Sequence, residues 1–111
     1  MGSFTKSPTV LTDLQVDGTT MVVDESNNRL GIGTATPQAA LDVAGNIFPS
    51  ADATHNLGSS SKRWDNIFTN DLHLANDRGD WTIIEEEEYL SIRNNKNGKM
   101  YKFVMEEIPE D

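Results

Sequence analysis

The densest set of side chains that could do chemistry is the run Glu85-Glu86-Glu87-Glu88. Paired carboxylates can carry acid/base work or hold a hard cation such as calcium. Successive residues of a strand alternate faces, however, so four adjacent glutamates converge on one ion only across a tight turn. The run reads as a solvated turn whose charge protects a sheet edge. In a symmetric oligomer it would form a ring of like charge able to collect calcium, but would catalyse nothing by itself. His55 and His73 are 18 residues apart and lack His-x-His or His-x3-His spacing, so one chain offers no His-based metal site. A site on a three-fold axis would need only one histidine per chain, yet His73 between Leu72 and Leu74 faces outward if the leucines face a core. No metal and no cofactor is assigned.

Gly31-Ile32-Gly33-Thr34 lacks the Gly-x4-Gly-Lys-Ser/Thr spacing of a phosphate loop. Its glycines fit better where backbones cross or approach closely, as in an intertwined oligomer. Arg78-Gly79-Asp80 spells a tripeptide used by some adhesion ligands, and reads as a turn entering the C-terminal strands. Asp52, Asp65, Asp71, Asp77 and Asp80 show no spacing that marks glycoside hydrolysis. Neither histidine has the neighbours of a catalytic triad. An enzyme is not expected.

The elements that must position these residues are short. The chain has 111 residues, 18 acidic and 9 basic, for a formal net charge of −9, and no cysteine. That balance offers no electrostatic footprint for nucleic acid or an anionic membrane. The longest apolar runs, such as Met21-Val22-Val23, fall far short of the roughly 20 residues a membrane helix needs, and the N-terminus has no apolar signal-peptide core. A soluble protein without membrane insertion is expected. With 36% hydrophobic residues, eight glycines and no disulfide or thiolate zinc site, the core is lean, and oligomerisation is the remaining route to stability.

Residues 1–9 read as an extended arm. Beyond them, period-two pairs recur: Leu14-x-Val16, Leu30-x-Ile32, Leu41-x-Val43 and Leu72-x-Leu74, each placing two side chains on one strand face. Turn formers separate them, among them Asp17-Gly18, Ser26-Asn27-Asn28, Gly45-Asn46 and Gly58-Ser59. Leu14-Gln15-Val16-Asp17-Gly18 and Leu41-Asp42-Val43-Ala44-Gly45 share L-x-V-x-G, with a degenerate copy at Asp71-Leu72-His73-Leu74, a faint repeat. One helical turn is expected at Pro37–Leu41 with Thr36 as N-cap, and two at Ser59–Phe68, where Trp64, Ile67 and Phe68 share a helical face. Trp81–Ile84, Tyr89–Arg93 and Met100–Met105 read as a three-stranded antiparallel meander, with Asn97-Gly98 supplying positive φ for the second hairpin. The fold class is all-β: an arm over 1–9, a shaft of short strands and turns over 10–75, and a meander knob over 76–111. A lone sheet of this kind has an apolar face that nothing obvious in the chain covers, and another copy would do so.

The stretch Asn28-Arg29-Leu30-Gly31-Ile32-Gly33-Thr34-Ala35-Thr36-Pro37-Gln38-Ala39-Ala40-Leu41-Asp42-Val43-Ala44-Gly45-Asn46-Ile47 resembles a segment, N-R-(V/L)-G-I-G-T-x-x-P-x-x-x-L-D-V-x-G, of bacteriophage tail fibre and related fibrous structural proteins. Asn56-Leu57-Gly58-Ser59-Ser60-Ser61-Lys62-Arg63-Trp64-Asp65-Asn66-Ile67-Phe68-Thr69 is similar to a second such element, and residues 70–108 look like the end of fibres in large marine phages. The resemblance implies a homotrimer whose strands wrap a common axis, in a virion appendage assembled in the host cytoplasm and then extracellular. It implies a shared core of Leu30, Ile32, Leu41, Val43, Ile47, Trp64, Ile67 and Phe68, an arm docked on other virion proteins, and a distal knob. Trp81, Tyr89 and Tyr101 are candidate contacts for a host surface glycan. Family members are usually much longer and often continue into an autoproteolytic chaperone domain, which this sequence lacks.

Two other classes compete. A monomeric carbohydrate-binding module would lose its ligand when exposed aromatics are replaced. A fragment of a polysaccharide-degrading tailspike would turn over glycan, using carboxylates that converge between subunits.

Overall fold

The computed structural model describes residues 13–110, and the expected arm over 1–9 lies outside them. The described residues are all-β: eight short strands in two four-stranded sheets, without a helix. By its internal contacts the chain divides into two units, Met1–Leu57 and Gly58–Asp111.

The first unit holds β1 (Asp13–Val16), β2 (Met21–Asp24), β3 (Arg29–Ile32) and β4 (Leu41–Val43), hydrogen-bonded in that order. Asp17 and Gly18 both take positive φ, 53° and 71°, which gives the β1–β2 hairpin the twist its strands need. In the β2–β3 turn the Asp24 carboxylate accepts hydrogen bonds from Asn27 Nδ2 at 2.9 Å and Ser26 Oγ at 3.1 Å, and Asn28 has φ 55°. The Asn27 bond, foremost, holds the Asp24 carboxyl below its usual pKa.

β3 and β4 pair in parallel, Leu30 opposite Leu41 and Ile32 opposite Val43. Parallel neighbours ordinarily need a crossover of a dozen or more residues. Here residues 33–40 suffice, because the connection lies directly on the sheet over Gly31. A Cβ on Gly31 would lie 2.5 Å from the Thr34 carbonyl oxygen and 3.4 Å from Pro37 Cβ, so only glycine leaves room. The loop is tied down by Arg29 Nη1 donating to the Pro37 carbonyl at 3.2 Å and by the Gln38 N–H donating to the Asp42 carboxylate at 3.0 Å. The close approach anticipated for the glycine-rich stretch is therefore made within one chain.

The second unit holds β5 (Leu72–Ala75), β6 (Asp80–Glu85), β7 (Leu90–Asn94) and β8 (Met100–Lys102), each antiparallel to the next. This sheet has four strands where three were expected, since Leu72–Ala75 pairs with β6. Asn76 Oδ1 accepts from the backbone N–H groups of Arg78 and Gly79, so Arg78-Gly79-Asp80 belongs to the β5–β6 turn. Residues 86–89 form the β6–β7 turn, closed by the Glu86 N–H on the Tyr89 carbonyl at 2.9 Å, with Glu86 Oε1 accepting from Ser91 Oγ. Gly98, at φ 77°, closes the β7–β8 hairpin; Asn97 does not share the positive φ.

Both expected helical segments are absent. In Pro37–Leu41 the Ala40 carbonyl accepts from the Leu30 N–H at 2.9 Å, so the backbone joins the β3–β4 ladder instead of an i, i+4 turn. At Ser59–Phe68, Ser59 and Lys62 exchange backbone hydrogen bonds and Ser59 Oγ accepts from the Lys62 N–H, making a tight turn entered by Gly58 at φ 82°. Serine side chains that compete for backbone donors favour this outcome over a helix.

Candidate functional site

Strand register sorts the side chains by face. In the first sheet, Leu14, Val16, Met21, Val23, Leu30, Ile32, Leu41 and Val43 occupy opposed or alternate positions and therefore share one face. The other face carries Gln15, Val22, Gly31 and Asp42, and there the 33–40 loop buries Val22, Gly31 and Pro37. Three consecutive apolar residues at 21–23 are explained by this: Met21 and Val23 serve one face, Val22 the other. Val22, 4% exposed, is the buried hydrophobic residue of the described chain.

The second sheet repeats the arrangement. Leu72, Leu74, Trp81, Ile83, Ile92 and Tyr101 share its apolar face. The opposite face carries Ile84 and Met100 beside a hydrogen-bonded polar cluster. Thr82, 1% exposed, is hydrogen-bonded to His73 Nδ1 at 3.1 Å and accepts from Asn95 Nδ2 at 2.9 Å, while Asn95 also donates to Asp80 Oδ1 and accepts from Arg93 Nε. His73 thus points away from the face of its flanking leucines, as the alternation predicts, into a structural network. His55 is engaged elsewhere, with Ser50 Oγ at 3.1 Å. Among the described residues no group of three or more His, Cys, Asp or Glu is placed to hold a metal.

Between β4 and β5 the chain runs without strand or helix, and this segment is rich in exposed apolar side chains. Ile47, Phe48, Leu57, Trp64 and Ile67 are all exposed, Trp64 at 62%, and Phe68 reaches 95%. Of the residues expected to form a shared core, Leu30, Ile32, Leu41 and Val43 lie together on the first sheet's open face; Ile47, Trp64, Ile67 and Phe68 lie along this segment. Phe48 and Leu57 were not singled out in the sequence, because neither belongs to a periodic pattern.

The three candidate glycan contacts divide. Trp81 and Tyr101 meet, ring centroids 6.1 Å apart at 45°, and with Leu74 and Ile92 they line an apolar hollow of about 430 Å³. Tyr89 stands apart, its ring covered by Lys102 Nζ at 4.5 Å from the centroid. That cation occupies a face on which a sugar would stack.

The described residues thus present apolar side chains on one face of each sheet and along the segment between them. No family model, curated protein or solved structure matches the chain.

Proposed function

We propose that this chain is a structural component of a bacteriophage virion, a short homotrimeric fibre such as a tail fibre or similar appendage, with a role in attachment to the host surface. One observation carries the reading: each sheet has one face engaged within its own chain and one apolar face that the described residues leave open, and the segment joining the sheets holds large apolar side chains in water. Burying such surface is worth about 25 cal/mol per Å², so a chain that buries so little alone folds as it assembles. Soluble monomers rarely leave large contiguous apolar patches uncovered. The shared core is Leu30, Ile32, Leu41, Val43, Ile47, Trp64, Ile67 and Phe68, and the number three comes from the resemblance to phage fibres.

Light scattering of the purified protein across a dilution series tests this. A stable mass of about three times 12.3 kDa is expected, and a folded monomer would overturn it. The arm over residues 1–9 serves to dock the fibre on other virion proteins, and undiminished incorporation of a chain lacking it would reject that role.

A further inference from the structure

The second unit carries both an open apolar hollow and an acidic, apolar segment that has nowhere to sit. Past Lys102, the Phe103 N–H still bonds the Leu90 carbonyl at 3.0 Å, and there the pairing ends. Beyond it, Val104 is 100% exposed, and Met105 and Ile108 are exposed as well. These apolar residues are interleaved with Glu106, Glu107 and Glu110. The segment does not lie over its own sheet, since its apolar side chains remain in solvent.

The hollow lined by Leu74, Trp81, Ile92 and Tyr101 has the complementary character. It is a shallow, widely open depression with an almost wholly apolar lining, suited to an extended apolar segment. Leu74 and Trp81 are shared with an adjoining depression of mixed lining whose wall includes Arg78. Lys96 Nζ donates to the Arg78 carbonyl at 3.4 Å, which brings a second cation to the same end of the sheet. Neither cation has a carboxylate partner among the described residues. An apolar floor with a basic rim suits an apolar segment studded with carboxylates, and such complementarity sets partner and register.

We propose that Phe103–Glu110 of one copy seats on the Trp81–Tyr101 hollow of a neighbouring copy, its apolar side chains on the floor and its glutamates toward Arg78 and Lys96. This rests on the oligomer proposed above, and it removes Trp81 and Tyr101 from the set of receptor contacts by covering them.

The sequence has no cysteine, so any disulfide reports only on introduced thiols. Chains carrying Leu74→Cys are refolded and oxidised with size-tagged chains carrying Val104→Cys. The expected product is a disulfide-linked heterodimer on a non-reducing gel. Glu106→Lys with Glu107→Lys should lower its yield about fivefold, and adding Arg78→Glu should restore much of it. A three-chain mass without the heterodimer overturns the tail placement and leaves the oligomer standing. A single-chain mass overturns both. A disulfide formed only within doubly substituted chains places the segment on its own sheet and refutes the exchange.

Discussion

Replacing Trp64 by alanine tests the shared core at its largest side chain. Trp64 is 62% exposed in the chain alone. A tryptophan carries about 250 Å², so covering that fraction withdraws about 155 Å² from water. At about 25 cal/mol per Å² this is about 4 kcal/mol per chain and about 12 kcal/mol per trimer. The trimer association constant should then fall by about nine orders of magnitude. Because the concentration of half-dissociation varies as the inverse square root of that constant, it rises about thirty-thousand-fold. Sedimentation or light scattering across a dilution series reads this directly, with far-ultraviolet circular dichroism on the same samples. A Trp64→Ala chain that keeps the wild-type mass at every dilution would show that Trp64 is not in the interface. A folded, monomeric Trp64→Ala chain with the wild-type spectrum would refute the coupling of folding to assembly.

Other perturbations test the sheets themselves. Gly31→Ala should destabilise the first unit by about 1–3 kcal/mol by overpacking, since the new Cβ would meet the Thr34 carbonyl at 2.5 Å; a thermal midpoint equal to wild type would contradict the loop's placement. Thr82→Val removes the buried hydroxyl joining His73 and Asn95, and urea unfolding should show a loss of about 1–2 kcal/mol. Asp24 has its folded pKa below 3.8, so its stabilising contribution is full above that value and is lost as pH falls through the lower folded value. Asp24→Asn should therefore flatten the acid limb of a urea-midpoint titration below about pH 4, and an acid limb as steep as wild type's would refute the role of Asn27.

The period-two pairs made most strands legible in the sequence. Leu14-x-Val16, Leu30-x-Ile32, Leu41-x-Val43 and Leu72-x-Leu74 all lie in strands, and register gathers the first three onto one face. The outward placement of His73 followed from the same alternation. The parallel β3–β4 pairing was not legible, because period two specifies a face but neither a neighbour nor a direction. The Ser59–Phe68 helix was misjudged for a physical reason: helical spacing of Trp64, Ile67 and Phe68 gains nothing when no surface of the unit receives them, and Ser59 supplies a local alternative for the backbone. The hollow was legible only in its parts, Trp81 and Tyr101, since their meeting depends on Leu74 and Ile92 in strands β5 and β7.

Every strand in both sheets pairs with its neighbours in sequence. Few long loops need closing before contacts form, so each sheet can assemble from local pairings, hairpins and the short β3–β4 crossover, on the microsecond to millisecond scale of local structures. A lone sheet with one uncovered apolar face gains little lasting stability from this speed. On the proposed assembly, the slow step of refolding is thus the encounter between chains, and its rate should climb with protein concentration while the earliest spectroscopic phase stays constant.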